Sequence, residues 1–164
     1  MDRRSTRLIA AALAGLAMAC SPQAATEDKA VAAVDSGNHP VSGLEIVPVV
    51  VSTGEKSFEF RAELADTKEL QAKGLMHRTE LGPDEAMLFP SEQPTARSFW
   101  MKNTPIPLDI IFIGLDGRIA NIIAMAEPYS EKPVYSVGSV SAVLEIAGGR
   151  AEELGIEAGD QVSW

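Results

Sequence analysis

The stretch LDIIFIGLDGRIANIIAMA, residues 108–126, decides the fold class. Two apolar runs rich in isoleucine flank the dipeptide Asp116-Gly117. An Asp-Gly pair in this setting is a strong signal for a tight β-hairpin, and β-branched residues favour strands. The stretch therefore predicts two antiparallel strands joined by a short turn.

Strand signals recur along much of the chain. Residues 58–64 alternate apolar and charged side chains, which is the period of a half-buried strand. Asp66 followed by Glu69 predicts the start of a short helix. Many short strands with few helical signals predict a mostly β (α+β) fold, a compact barrel-like β domain with one or two short helices. Further apolar runs of strand type are LEIVPVVV (44–51), AMLF (86–89), SFWM (98–101) and VLEIA (143–147).

The first nineteen residues predict a signal peptide. Three arginines (Arg3, Arg4 and Arg7) precede a twelve-residue apolar run at positions 8–19. That run is shorter than the ~18–20 residues that cross a bilayer, so we expect export and removal of this segment.

Cys20 is the only cysteine in the chain. The stretch LAMAC (16–20) resembles a bacterial lipobox, in which the cysteine is lipidated and becomes the mature N-terminus, although Ala17 stands where leucine is usual. The resemblance implies a protein of the cell envelope or periplasm, attached to the outer membrane by a lipid on Cys20. The alternative is cleavage after Ala19 without lipidation. With a single cysteine, no disulfide can form within the chain.

Residues 20–43 follow as a predicted flexible tether, because residues 21–43 contain no aromatic residue and no sustained period. Residues 44–164 then form one domain. The net charge of −9 becomes −11 once three arginines and one aspartate leave with residues 1–19. An acidic chain disfavours binding to nucleic acid and to anionic lipid head groups. We therefore expect the lipid, rather than surface charge, to attach the protein to the membrane.

A mixed polar and aromatic segment, FWMKNT (99–104), is a candidate binding site. The alternative is a purely structural role as a turn, since asparagine favours turns and Pro105 biases Thr104 away from helix. That interpretation explains Asn103 better than it explains Lys102 beside Trp100. An aromatic surface next to lysine and asparagine donors is typical of pockets for anionic or carbonyl-bearing ligands.

Two acidic residues interrupt apolar strands, Asp109 in PLDII and Glu145 in VLEIA. A buried charge must be paired or neutralised, so each acid faces outward, pairs with a cation, or stays protonated. The alternatives are a structural salt bridge and a carboxylate for ligand binding or acid/base chemistry. The candidate ligand-binding residues are Arg78, Trp100, Lys102, Asn103, Asp109 and Glu145.

Several functions fit this set of residues. The first is a small-ligand or cell-envelope binding module without a cofactor or resident metal. The second is an acid/base enzyme that uses Asp109 or Glu145 on an envelope glycan, and the third is a protein-interaction scaffold. A minor alternative is Cu(I) binding, because thioethers and imidazole are soft ligands, although methionine is more often a core filler. Its candidate ligands are Met76, His77, Met87, Trp100 and Met101.

Four segments together resemble the DUF192 family in order and spacing: GLMHRTEL (74–81), AMLF (86–89), FWMKNTPIPLDIIFI (99–113), and VLEIAGG (143–149) followed by GIEAGDQV (155–162). The resemblance covers about residues 45–164 and implies a small, β-rich, barrel-like domain of undetermined function that is often exported. The chain departs from the family pattern at Ala86, where glycine is usual, and His77 falls at a variable position. The family signature falls on Gly74, Leu75, Met76, Arg78, Phe99, Trp100, Met101, Lys102, Asn103, Thr104, Asp109 and Glu145.

Overall fold

The computed structural model describes residues 37–54 and 56–164. The predicted signal peptide, Cys20 and the tether up to residue 36 lie outside the described residues. Among the residues that the structure describes, no helix is both long and apolar enough to cross a membrane.

Most of the described chain forms strands, with two short helices, so the predicted mostly β fold is confirmed. Seven strands form one sheet in the order β6-β5-β8-β3-β2-β1-β9, and β4 pairs with β7 in a small separate ribbon. The pair β2–β3 is parallel and the other pairs in the sheet are antiparallel. The elements are β1 (Ile46–Ser52), β2 (Ser57–Leu64), α1 (Lys68–Lys73), β3 (Glu85–Thr95), β4 (Ser98–Phe99), β5 (Leu108–Ile113), β6 (Ile119–Ala126), β7 (Val134–Tyr135), β8 (Val140–Ala147), α2 (Arg150–Leu154) and β9 (Gln161–Ser163).

The predicted hairpin is present as β5 and β6, which pair antiparallel. Its turn places Gly117 at φ 74°, a left-handed conformation that glycine adopts without steric cost. A Cβ at this position would also lie 2.5 Å from the side-chain nitrogen Nε2 of Gln161. At that distance the Gln161 side chain would have to move. The Asp-Gly signal predicted the turn, and the structure shows in addition that the last strand lies close to it.

The sheet curls but does not close into a barrel. Among the described residues, backbone hydrogen bonds between the two edges lie near the β5–β6 turn, where Val162 N–H donates to Gly117 O at 2.8 Å, Ile119 N–H to Asp160 O at 2.9 Å and Gly159 N–H to Ile119 O at 2.8 Å. No continuous ladder between β6 and β9 is present in the described part of the chain. The expected barrel-like shape is therefore an open, curled sheet.

Both faces of the central strands are buried, because each face has its own apolar core. The inner core draws on all seven strands of the sheet and includes Phe60, Leu88, Ile111 and Leu144. The outer core packs against the chain segments around residues 65–81 and 99–106, and it includes Met87, Phe89, Ile110, Phe112 and Val143. Successive side chains of a strand point to opposite faces, so β5 and β8 are apolar at most positions of both faces, apart from Asp109 in β5 and Ser141 and Glu145 in β8.

The folded part of the chain begins before Leu44, the start that the sequence predicted. Ile46 N–H donates to Gly37 O at 3.1 Å, and His39 N–H donates to Leu44 O at 2.7 Å. The His39 side chain is buried, and its Nδ1 lies 3.7 Å from a carboxylate oxygen of Glu63. Residues 37–43 therefore pack against the domain, because a buried histidine and a hydrogen-bonded turn hold them there.

Candidate functional site

A small cavity lies on the outer face of the sheet, beneath the segments that cover it. Its volume is about 30 Å³, which is room for about one water molecule. Three of the six residues proposed from sequence line it: Trp100, Lys102 and Glu145. We call this space the Glu145 cavity. Its other lining residues include Gln71, Gly74, Met76 and Thr104.

Glu145 occupies the buried side of this cavity. It lies in β8, opposite Met87 on one neighbouring strand and Ile110 on the other, and it is only 4% exposed. Within residues 37–54 and 56–164 no described side-chain hydrogen bond or ion pair involves its carboxyl group, and no fully buried side-chain nitrogen or oxygen lacks a partner, so the carboxyl oxygens are reached from the cavity. Burial raises the pKa of Glu145 to about 8. At neutral pH the group is therefore mostly protonated, and it can both donate and accept a hydrogen bond.

The exposed side of the cavity carries an aromatic ring and a cation. Trp100 is 48% exposed, and the Nζ of Lys102 lies 5.1 Å from the centroid of its ring. A lysine ammonium at this distance is attracted by the face of the indole. The site therefore offers an apolar surface, a positive charge and, beneath them, a neutral acid.

The backbone around this site adopts uncommon conformations. Asn103, His77 and Tyr129 have φ values of 55°, 66° and 61°, in the left-handed region that non-glycine residues rarely occupy. Hydrogen bonds hold these positions, with His77 N–H donating to Asn103 O at 2.7 Å and Tyr129 N–H to Thr104 O at 3.1 Å. Such backbone strain concentrates at functional sites. Asn103 therefore forms a turn, as the sequence indicated, next to the cavity.

Asp109 lies on the opposite, inner face of the sheet and does not line the Glu145 cavity. Its Oδ1 accepts hydrogen bonds from the backbone N–H groups of Met125 at 2.8 Å and Gly149 at 2.9 Å. Its Oδ2 accepts one from Ala151 N–H at 2.8 Å. The side chain is 0% exposed. Asp109 therefore joins β5 to the end of β6 and to the start of α2.

Arg78 is also separate from the cavity. Its Nη2 lies 2.5 and 2.6 Å from the two carboxylate oxygens of Glu63, which is 2% exposed. His39 lies next to this pair. The burial of Glu63 was not predicted from the sequence, because Glu63 falls on the polar side of the alternating β2 pattern. Residues 37–44 cover that side, and nothing in the local pattern of β2 indicates this cover.

Three of the candidate Cu(I) ligands, Met76, His77 and Met87, line one cavity of about 300 Å³, whereas Trp100 and Met101 do not line it. Met87 and Met101 are buried in the outer core, where they pack with apolar side chains. The sulfur of Met76 lies 3.8 Å from the side-chain amide of Asn103. In the described part of the chain, no group of three or more His, Cys, Asp or Glu side chains is arranged to hold a metal ion.

Comparison with known proteins identifies the domain but no activity. A model of the DUF192 family, described as an uncharacterised group, matches residues 49–164. A crystal structure of a protein of unknown function from Novosphingobium aromaticivorans DSM 12444 is 55% identical, with a TM-score of 0.79 over 80% of this chain and 94% of that chain. A second crystal structure, from Sinorhizobium meliloti 1021 and named for a proposed role in transcription regulation, is 36% identical, with a TM-score of 0.69 over 71% of this chain and 91% of that one. No curated protein matches the chain.

Proposed function

The chain belongs to the DUF192 family, and we propose that it is an exported binding module of the cell envelope, attached to the outer membrane by a lipid on Cys20. In this proposal the Glu145 cavity and the exposed Trp100 bind a small polar ligand. The observation that carries the proposal is Glu145, a buried carboxyl group without a described partner that opens toward a cavity with an aromatic and a cationic side chain. No fully buried side-chain nitrogen or oxygen in the described part of the chain lacks a hydrogen-bond partner, so the carboxyl oxygens of Glu145, which have no described bond, are reached from the cavity and are available to a ligand there.

The chemistry of the site limits what the ligand can be. The cavity has room only for a group of about the size of a water molecule, such as a carbonyl or hydroxyl oxygen. Protonated Glu145 donates a hydrogen bond to that oxygen. The remainder of the ligand lies outside, against the ring of Trp100, and Lys102 attracts a negative charge on it. A carbonyl-bearing or anionic molecule of the envelope meets all three requirements.

Export and lipid attachment rest on the signal-like N-terminus and the lipobox-like sequence before Cys20. The strongly acidic charge supports a ligand other than nucleic acid, because phosphate backbones bind to positively charged surfaces. The name of the Sinorhizobium meliloti relative therefore does not change the proposal for this chain.

A thermal-shift screen of metabolites and envelope components on the mature chain tests the proposal. A ligand that binds only the folded state raises Tm. We expect at least one compound to raise Tm of the wild type, and Trp100→Ala and Glu145→Leu to abolish that rise. Trp164→Ala is the matched control, since Trp164 is 49% exposed and lies outside the cavity. The proposal is wrong if no compound raises Tm, or if Trp100→Ala responds as Trp164→Ala does.

A further inference from the structure

A second and larger cavity lies between α1 and the end of β3. Its volume is about 590 Å³, within the range of roughly 300–1,000 Å³ that is typical of small-molecule sites. Residues 90–95 form one wall, and the pairing of β3 with β8 shifts register between Pro90 and Thr95. Such irregularities in strand pairing occur often beside functional sites. We call this space the Arg97 cavity. Gln71 lines both this cavity and the Glu145 cavity.

Arg97 is held in a fixed orientation in this cavity by neutral groups. Its Nη1 donates to Ser91 Oγ and its Nη2 to Gln71 Oε1, both at 3.0 Å. The guanidinium also lies 5.4 Å from the centroid of the Phe99 ring. Within the described ranges no carboxylate forms an ion pair with Arg97.

Gln71, which accepts a hydrogen bond from Arg97, is itself held in place by hydrogen bonds. Gln71 Nε2 donates to Ala65 O at 3.0 Å and to Pro90 O at 2.7 Å, so its Oε1 remains directed at the guanidinium. Arg97 is only partly exposed, and this burial lowers its pKa, although an arginine stays charged in proteins. A partly buried cation with neutral partners is a site at which an anion gains a charge-assisted hydrogen bond.

The outer part of the cavity carries charges of both signs. Asp66, Lys68 and Glu92 line it and are exposed to solvent, whereas Arg97 is partly buried. The carboxylates of Asp66 and Glu92 would repel a ligand that carries only negative charge. A ligand with a carboxylate at one end and an ammonium group at the other would match both the inner cation and the outer acids.

We propose that the Arg97 cavity binds a small zwitterion of the size of an amino acid or a dipeptide, with its carboxylate on Arg97 and its ammonium group facing Asp66 and Glu92. Arginine forms two parallel hydrogen bonds to a carboxylate with high geometric specificity. This site shares only Gln71 with the lining of the Glu145 cavity and does not include Glu145, Trp100 or Lys102, so it does not depend on the function proposed above.

Alanylalanine is a suitable probe, and NMR titration of the mature chain with this dipeptide tests the proposal. We expect the signals of Gln71 and Ser91 to shift. Alanylalanine amide, which lacks the carboxylate, is expected to bind at least ~10-fold more weakly, because a hydrogen bond to a charged group contributes about that factor. Arg97→Gln should abolish the shifts and Arg97→Lys should weaken them. The control Arg118→Gln removes an arginine outside the cavity and should bind normally.

The proposal is overturned if alanylalanine causes no shifts, or if its amide binds with equal affinity. Comparison of the two dipeptides uses the wild-type protein alone, so it remains decisive even if Arg97→Gln fails to fold. Glu145→Leu distinguishes the two proposals, since it should abolish binding at the Glu145 cavity and leave dipeptide binding unchanged.

Discussion

Asp109 and Glu145 lie on adjacent strands, one pairing position apart, but on opposite faces of the sheet. Asp109 pairs with Ile146, and Glu145 pairs with Ile110. Asp109 faces the inner core and accepts three backbone hydrogen bonds, whereas Glu145 faces the outer core and has no described partner. Paired carboxylates of glycosidases lie ~5–9.5 Å apart across an open cleft. The two acids therefore have different roles and do not form such a pair.

Asp109→Asn is predicted to destabilise the protein by roughly 2–4 kcal/mol, because its amide group replaces an oxygen that accepts backbone hydrogen bonds and leaves a buried N–H group unpaired. Urea denaturation measures the loss. Asp116→Asn is the control, since the Asp116 side chain accepts a single exposed hydrogen bond, from Arg118 N–H in the hairpin turn. This substitution should lower the free energy of unfolding much less. Equal losses in the two variants would show that the bonds to Asp109 contribute little to stability.

Arg78→Met is predicted to cost roughly 3–5 kcal/mol, because it leaves the carboxylate of Glu63 buried without its cation. The double variant Arg78→Met/Glu63→Leu should recover part of that loss, since it removes both charges. The free energies of unfolding of the wild type, both single variants and the double variant measure the coupling. A double variant no more stable than Arg78→Met would contradict this account of the pair.

Glu145→Gln is predicted to reduce the pH dependence of stability. Burial raises the folded-state pKa of Glu145 from about 4.5 to about 8, so the folded protein keeps a proton that the unfolded chain loses. The free energy of unfolding therefore falls as pH rises from about 4.5 to about 8, by on the order of 5 kcal/mol in total. Urea denaturation at pH 5 and pH 9 should show a larger loss for the wild type than for Glu145→Gln. The same loss in both proteins would mean that Glu145 is not the group responsible.

Cys20→Ala is predicted to release the exported protein from the membrane fraction, because the variant lacks the thiol that carries the lipid. Cell fractionation and mass spectrometry of the mature N-terminus measure the change. Equal membrane association of wild type and variant, or an unmodified Cys20 in the wild type, would contradict lipid attachment.

Local sequence signals were sufficient for the fold class. The Asp116-Gly117 hairpin and the strand patterns correspond to observed elements, and the short helix predicted from Asp66 and Glu69 is present but is capped by Thr67. The closure of the sheet was not predictable, because it depends on how far the curled edges approach one another. In the described part of the chain, backbone and side-chain hydrogen bonds near Gly117 join them.

The lining of the Glu145 cavity was predicted only in part. Trp100 and Lys102 are close in sequence, and Glu145 was singled out as an acid in an apolar strand, and the structure places these three residues around one cavity. The face on which each acid lies could not be read from alternation, because β5 and β8 are buried on both sides. The pairing of Arg78 with Glu63 also required tertiary information, because their positions are 15 residues apart and residues 37–44 cover the pair.

The most direct test of the Glu145 cavity is a pH titration of the Glu145 carboxyl carbon by ¹³C NMR. We predict a midpoint near pH 8, assigned by its absence from Glu145→Gln, and a shift of that midpoint when a stabilising ligand is added. A midpoint near the ordinary value of about 4.5 would show that Glu145 is ionised at neutral pH, and it would contradict a neutral acid as the centre of the site.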